Sequence, residues 1–336
     1  MDMRLWMTRF QRRVLLGMAA VVATAVIIDC GDTNTPPEKS NGITQVTVTP
    51  AATGLDTPLD VTPDPMGVAI YYIAAGEGGF GVFRVPFAGG TPTQVYVGAP
   101  FAKPRSISIS SDGQTLYVAD PAGGTDGKGV IWTLPSSGDT PVPLSGTAGL
   151  KPAALEVYDD GPTDTVYFAG SNANDEPAIF SLSAKGGMPD TLAAGLPLVQ
   201  PDGIAVATDG HVYIADAEAG TKQPGQAFKL VEGKPTKVGP EFTPGSPTGI
   251  AVTLDDAKLL VSSLDAASGT SQVTIVQTAD GSASVFNDVI KQNNVSGGVH
   301  RARFKEAYAW AGYNKVYGIR IKTILADSST PGGVGG

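Results

Sequence analysis

The chain has 336 residues, and its 32 acidic and 23 basic side chains give a formal net charge of −9. An acidic chain without a basic stripe argues against a nucleic-acid partner, because binding to phosphates requires clustered Lys and Arg. The single cysteine excludes an internal disulfide, and two histidines leave little material for a histidine-ligated metal or a Ser-His-Asp triad.

Residues 1–29 have the composition of an export signal. Arginines precede about fifteen apolar residues, Val14 to Ile28, a run that is short for a membrane span and typical of a signal core. The segment Val26 to Cys30 resembles a bacterial lipobox, with Asp29 where such signals usually have Gly, Ala or Ser. The resemblance implies cleavage and lipidation at Cys30. Cleavage near Ala25 and an uncleaved N-terminal anchor are the alternatives.

The polar segment 30–42, which contains GDTNTPPEKSNG, lacks hydrophobic periodicity and predicts a flexible tether. The final segment 327–336, DSSTPGGVGG, predicts a disordered tail. We therefore expect an exported monomer that is lipid-anchored in the bacterial cell envelope, on its periplasmic or outer surface.

A repeated unit organises the residues between these segments. Its clearest copy is PDGIAVATDGHVYIAD, from Pro201 to Asp216, in which an Asp-Gly turn joins two strands of alternating pattern. Related units begin 46 to 49 residues apart, at Pro58, Pro104, Pro152, Pro201, Pro247 and Ser296. Self-similarity at a fixed period is typical of a repeat architecture.

Each unit continues through a Gly-rich loop into a third strand and usually a fourth, which predicts one four-stranded antiparallel blade. We predict an all-β, six-bladed β-propeller over residues 43–326. The segment ITQVTVTP, residues 43–50, resembles the fourth-strand segment PTQVYVG and is expected to close the ring as the outer strand of blade six. A competing interpretation places Lys322 to Ala326 there.

Two kinds of loop open on one face of a propeller: the loop leading into each innermost strand and the loop joining the second and third strands. They supply carboxylates and amides that suit a hard cation or a polyhydroxylated ligand, although Asp, Asn and Gly also occur simply because they form turns. On the innermost strand of blade six, Arg301 or His300 is expected to line the channel with Asp202 or Asp60 as counter-charge, unless this blade is merely more hydrated. The ligand-binding candidates are Arg105, Asp120, Asn172, Asp202, Asp216 and Arg301.

The pattern PxGIAVxxDGxxYIAD resembles NHL-repeat and gluconolactonase-like six-bladed propellers, and the resemblance covers most of residues 58–318. Gluconolactonase-like enzymes hold a divalent cation on the channel axis with Glu, Asn and Asp side chains. The resemblance implies loosely comparable positions at Glu156, Asn172, Asp202 and Asp216. Blade one departs from the family because Leu59-Asp60 stands where a Glu is expected.

Two functions follow from these patterns. The first is a binding module without cofactor, whose acidic loop face takes an envelope protein, a glycan or a small ligand. The alternative is a hydrolase or lyase that uses Ca²⁺ or a similar cation held by Asn172, Asp202 and Asp216. Carboxylates from at least three blades converging within about 5 Å on the channel axis, as a shared Ca²⁺ requires, would favour the enzyme. A channel mouth plugged by apolar side chains would eliminate it.

Overall fold

The computed structural model describes residues 23–27, 43–159, 161–222, 224–286 and 296–324. The predicted lipidation at Cys30, the tether, the tail 327–336 and most of the predicted signal segment lie outside these residues. No helix among the described residues is long and apolar enough to cross a lipid bilayer.

The described elements are β-strands arranged as six blades of four strands each, with a fifth strand added to blade six. Two strands precede the first blade, β1 (Ala23–Ile27) and β2 (Ile43–Thr53). Blade one contains β3 (Asp60–Pro63), β4 (Ala69–Gly76), β5 (Gly79–Pro86) and β6 (Thr93–Val97). Blade two contains β7 (Ser106–Ile109), β8 (Thr115–Asp120), β9 (Val130–Pro135) and β10 (Val142–Pro143). Blade three contains β11 (Ala154–Asp159), β12 (Asp164–Ser171), β13 (Pro177–Ser183) and β14 (Asp190–Ala194).

The second half of the ring has the same plan. Blade four contains β15 (Pro201–Val206), β16 (Val212–Asp216), β17 (Gly225–Val231) and β18 (Lys234–Pro244). Blade five contains β19 (Ile250–Val252), β20 (Lys258–Leu264), β21 (Ser271–Gln277) and β22 (Ala283–Phe286). Blade six contains β23 (Ser296–Arg301), β24 (Ala307–Gly312) and β25 (Lys315–Ile324), and β2 is its fourth strand. A short pairing of β18 with β20 links blades four and five into one continuous sheet.

Within a blade, neighbouring strands are antiparallel, as the repeat predicts. In blade four, Val206 pairs with Val212 across the turn that contains Gly210. Gly210 has φ +84°, a left-handed conformation that glycine adopts at little cost. The second and third strands are buried along most of their length, since both of their faces pack against neighbouring blades.

The six blades form a closed ring. Each innermost strand contacts the next, from β3 through β7, β11, β15, β19 and β23, and β23 contacts β3 again. Six apolar clusters fill the six interfaces between neighbouring blades. The propeller therefore has six small cores arranged around an axis.

Strand β2 closes the ring as the sequence predicts. It pairs with β25 from Ile43, opposite Ile324, to Thr53, opposite Lys315. Its Val46 and Val48 are buried in the cluster between blades five and six. Lys322 continues β25, so the competing interpretation of that segment is wrong. Strand β1 pairs outside β2 and gives this blade a fifth strand.

The ring has two faces. The loop face carries the loops that lead into the innermost strands and those that join the second and third strands. The turn face carries the hairpin turns between the first and second strands. Strand β2 starts at the turn face. Arg320 pairs with Ala307, the first residue after the β23–β24 hairpin turn, and Thr47 lies opposite Arg320. Ile43 lies four residues before Thr47 and is therefore further from the loop face.

Candidate functional site

Charged side chains from five of the six blades meet around the channel axis. They are Asp60 of blade one, Arg105 of blade two, Glu156 of blade three, Asp202 of blade four and His300 of blade six. Asp60, Asp202 and His300 are buried. Because isolated buried charges are costly, their partners determine what this site can do.

His300 bridges blades one and three across the axis. Its Nδ1 lies 2.8 Å from Glu156 Oε2, and its Nε2 lies 3.2 Å from Asp60 Oδ2. Carboxylates only accept hydrogen bonds, so both ring nitrogens donate when the carboxylates are ionised. The geometry therefore describes an imidazolium held between two carboxylates.

The electrostatics agree with this protonation state. Burial alone would lower the pKa of His300, but the charges and hydrogen bonds of Asp60 and Glu156 raise that pKa to about 10. A histidine that keeps its proton at neutral pH cannot act as a general base there. The arrangement is consequently suited to structure and charge balance.

Arg105 and Asp202 form a second ion pair, nearer the loop face. Arg105 Nη2 lies 2.6 Å from Asp202 Oδ1 and 2.8 Å from Oδ2. Burial raises the pKa of Asp202, while the Arg105 charge and a hydrogen bond from the Thr248 amide oppose that rise. The Arg105 side chain remains one third exposed, at 33%. Of the axial charges, it is the one most open to a ligand on the loop face.

The axial side chains also tie neighbouring blades together through backbone amides. Asp60 Oδ2 accepts from the Ile107 amide, Ser106 Oγ from Leu155, and Asp202 Oδ2 from Thr248. Each bond joins one innermost strand to the next blade. These carboxylates are therefore already engaged in holding the ring.

Asp60 requires a glycine opposite it. A Cβ built on Gly298 would lie 1.5 Å from Asp60 Oδ1, so only glycine leaves room for this carboxylate. Asp60 Oδ1 has no hydrogen-bond partner within the described part of the chain. The Ser-Gly-Gly start of β23 thus accommodates the buried ion pair.

Arg301 lies on the turn-face side of the axis. Its Nε donates to the Val252 carbonyl at 2.6 Å, and its Nη1 donates to the carbonyls of Ala302 and Arg303. Its polar contacts are thus with backbone carbonyls. The expectation of a basic residue lining the channel with an acidic counter-charge is met by His300 with Asp60.

Asp120 and Asp216 are both fully buried beneath loops of the loop face. Asp120 accepts from the amides of Ala102 and Lys103, and Asp216 accepts from those of Val199 and Gln200. Each carboxylate therefore fixes the loop that leads into an innermost strand. A ligand would meet the loop rather than the carboxylate.

Asn172 lies on an exposed loop and organises that loop locally. Its Oδ1 accepts from the amides of Asn174 and Glu176, and its Nδ2 donates to Glu176 Oε2. Asp175 of the same loop pairs with Lys151. The exposed carboxylates of Asp175 and Glu176 remain on the surface.

Two cavities lie on the axis. The one toward the loop face measures about 220 Å³, counted out to open solvent, and includes Asp60, Asp202 and His300 in its lining. The one toward the turn face measures about 480 Å³ by the same count and includes Glu156 and Arg301.

The described residues contain no group of three or more His, Cys, Asp or Glu side chains arranged to hold a metal ion. Of the positions comparable to the gluconolactonase ligands, Glu156 and Asp202 reach the axis, each bonded to a cation. Asn172 is on the surface and Asp216 is under a loop. These four side chains are not brought together as one ligand set.

Glu156 is the axial partner that residue patterns alone did not identify. It sits 144 positions from His300 in the chain. The sequence contains one signal for such a contact, an acidic residue in the middle of the innermost strand LEVYD, where neighbouring positions are apolar.

No family model matches the chain, and no curated protein matches its sequence significantly. A gluconolactonase from Xanthomonas campestris superposes with a TM-score of 0.60 at 16% identity, covering 82% of this chain and 90% of that one. A chain of the nidogen/laminin complex superposes with a TM-score of 0.58 at 15% identity, covering 86% and 97%.

An aldose sugar dehydrogenase from Streptomyces coelicolor also superposes, with a TM-score of 0.59 at 13% identity, covering 86% of this chain and all 100% of that one. At such identities the likeness concerns the backbone, which enzymes and binding proteins share. By its fold, then, the chain is a six-bladed β-propeller whose backbone is similar to that of the gluconolactonase and to that of a chain in the nidogen/laminin complex.

Proposed function

We propose that this protein is a non-catalytic, lipid-anchored propeller of the cell envelope that binds a protein partner through its loop face. The main support for this proposal is that the carboxylates at the axis are already paired with His300 and Arg105. An enzyme of this kind would leave such carboxylates free to bind a metal or a substrate. With the axial groups committed to one another, recognition falls to the surface loops.

A specific surface on this face has the features of a protein contact. We define the loop-face patch as Leu196, Val199, Asp175 and Glu176, on loops of blades three and four. Leu196 is 88% exposed. A Cβ built on Gly195 would lie 2.7 Å from Glu176 Oε1, so the acidic and apolar parts of the patch are adjacent.

The patch is held in place by the buried aspartate below it. Asp216 Oδ2 accepts from the Val199 amide at 2.8 Å, and the Gly195 amide donates to the Pro177 carbonyl at 2.8 Å. An exposed leucine on a fixed loop loses little conformational freedom when it binds. Asp175 is paired with Lys151, so the exposed Glu176 carboxylate supplies the acidic part of the patch. An apolar anchor beside this carboxylate suits a partner segment that carries apolar and basic side chains.

Affinity capture from an envelope extract tests this surface. We expect the chain to retain a specific protein, and Leu196→Asp to reduce that capture at least about tenfold, as loss of an interface hot spot does. Met188→Asp is the matched control, because Met188 is 90% exposed but lies on the turn between β13 and β14, at the opposite face. Equal loss in both variants, or capture of glycan alone, would contradict the proposal.

The membrane part of the proposal has its own test. Metabolic labelling with a fatty acid should mark the wild-type chain and leave Cys30→Ser unlabelled. Cleavage before Cys30 removes β1, and the ring stays complete because β2 supplies the fourth strand of blade six. A wild-type chain that takes up no label would contradict the lipid anchor without affecting the loop-face test.

A further inference from the structure

The turn face of blades six and one carries a surface unlike the rest of this acidic protein. We define the turn-face patch as Met66, Val68, Phe304, Lys305, Arg320 and Lys322. Met66, Val68 and Phe304 are exposed by 52%, 64% and 48%, and the three basic side chains are also exposed.

Contacts between the two blades make this patch continuous. The Phe304 amide donates to the Pro65 carbonyl at 2.9 Å, which places the two hairpin turns side by side. A Cβ built on Gly67 would lie 3.9 Å from the Lys305 Cβ. Arg320 Nη2 donates to the Gly67 carbonyl at 3.2 Å.

Lys322 extends the basic part of the patch beyond the hairpin turns. It lies two residues after Arg320 on β25, and alternate residues of a strand share a face. Strands β25 and β2 continue together past the turn, as far as Ile324 and Ile43. The basic side chains therefore flank the exposed apolar ones where the ribbon projects.

The nearby acidic groups are already engaged. Asp64 accepts from the amides of Met66, Val68 and Ala69 within its own turn. Glu306 accepts from the Leu254 amide and bonds Tyr308. Lys305 and Lys322 have no acidic partner among the described residues, so their charge is presented to solvent.

The course of the chain indicates what this surface faces. Strand β2 begins at Ile43, on this same face. If Cys30 carries the lipid, the 13 residues from 30 to 42 separate the two points, and a flexible chain of that length spans about 20 Å on average. The bilayer would then lie within reach of the turn face of blade six.

We propose that the turn-face patch docks on an anionic phospholipid surface, with Met66, Val68 and Phe304 entering the headgroup region and Lys305, Arg320 and Lys322 binding lipid phosphates. Apolar side chains flanked by Lys and Arg are the combination that interfacial binding requires. Docking goes beyond the proposed function, because it fixes the orientation of the propeller. The turn face then lies against the membrane and the loop face points away from it.

The test uses the full chain with vesicles of neutral phosphatidylcholine or of phosphatidylcholine with phosphatidylglycerol, followed by amide hydrogen exchange. Initial exchange at residues 61–69 and 302–308 should slow at least twofold on the anionic vesicles relative to the neutral ones. High salt should remove the difference, since it screens the charges. Exchange in the loop between β16 and β17, which lies on the loop face, should stay unchanged and serves as an internal reference.

Matched variants identify the residues responsible. The double variant Lys305→Glu, Lys322→Glu should abolish the slowing. The double variant Lys103→Glu, Lys128→Glu, which changes exposed lysines on the loop face of blade two by the same charge, should retain it. Phe304→Ser should weaken the slowing, and Val142→Ser, on the outer strand of blade two, should not. Equal exchange on both vesicle types, or equal effects of the two lysine pairs, would overturn the proposal.

Flotation of the vesicles reports the anchor separately. A chain that floats with neutral vesicles yet shows no slowing on anionic ones keeps its anchor and lacks the docking surface. A chain that does not float with neutral vesicles but shows slowing when anionic vesicles are added lacks the anchor and has the docking surface. The two proposals therefore fail independently.

Discussion

The interfaces between blades and the channel axis are both buried, but they are built from opposite kinds of side chain. The interfaces hold apolar clusters such as that of Trp310, Tyr317 and Val299. The axis holds Asp60, His300 and other charged groups that are paired with one another. The comparison separates two tasks: the interfaces stabilise the ring by burial, and the axis joins specific blades to each other.

The two regions also differ in whether their residues recur from one repeat unit to the next. An interface can use similar apolar residues six times, because each pair of blades packs in the same way. At the axis the blades face one another across a small space, so a charge in one requires its complement in another. His300 of blade six thus depends on Asp60 of blade one and Glu156 of blade three.

Removal of β2 should destabilise the ring most, because it disrupts two interfaces between blades at once. Val46 and Val48 belong to the cluster between blades five and six, and Ala51 and Ala52 to that between blades six and one. Losing the two valines alone should cost about 3–6 kcal/mol, and many domains have only about 5–15 kcal/mol in total. We expect a chain that begins at Leu55 to lose its cooperative thermal unfolding.

The control for this truncation is a chain that begins at Ile43, which retains β2 and lacks β1. It should unfold cooperatively, close to the full chain, because each blade keeps four strands. Similar behaviour of the two truncated chains would contradict the role of β2 in closing the ring.

Replacing His300 should have the next largest effect, and it isolates the axis. His300→Leu fills a similar volume but leaves Asp60 and Glu156 as like charges without their cation. Breaking a buried ion pair from one side costs about 3–5 kcal/mol. Urea denaturation should show this loss in the free energy of unfolding.

Two further variants sharpen the result. His211→Leu changes the other histidine, which is exposed beside Asp209, and surface substitutions usually stay within about 0.5 kcal/mol. Adding Asp60→Asn to His300→Leu removes one of the stranded charges and should recover part of the stability. A variant His300→Leu as stable as the wild type would show that the axis is not a charge network.

The fold was predictable from the sequence because each of its signals is local or repeated. The alternation in PDGIAV and HVYIAD, with an Asp-Gly turn between them, specifies one hairpin, and six spaced copies specify the ring. Even the closing strand was identifiable, since ITQVTVTP resembles another fourth strand. Its pairing with β25 confirms that prediction.

The candidate site was less predictable because its contacts are neither local nor repeated. The position of Asp120 and Asp216 on the loop face predicts contacts with a ligand, yet both side chains turn inward and accept hydrogen bonds from loop amides. The sequence alone does not distinguish an aspartate that faces solvent from one that accepts hydrogen bonds from a loop. Their shared place at the end of YVAD and YIAD is a repeat feature, which points to structure. The pairing of Glu156 with His300 depends on two blades facing each other across the ring.

The smallest predicted effect concerns pH, and it tests whether His300 is charged in the folded protein. Folding raises the pKa of His300 from 6.5 to about 10 because Asp60 and Glu156 stabilise the imidazolium against the cost of burial. Below pH 6.5 the histidine is protonated in both states and adds no pH dependence. Between pH 6.5 and 10 the folded state holds the proton and the unfolded state does not, so stability falls as pH rises.

At about 1.4 kcal/mol per pH unit, raising the pH from 7 to 9.5 should lower the free energy of unfolding by about 3 kcal/mol. Urea denaturation at several pH values measures this slope. The pH range from about 7 to 9.5 lies below the usual titration of tyrosine near pH 10. The variant His300→Leu should lack this slope, while His211→Leu should keep it. An equal slope in all three chains would assign the pH dependence to other groups, and the imidazolium would have to be abandoned as the charge that joins blades one, three and six.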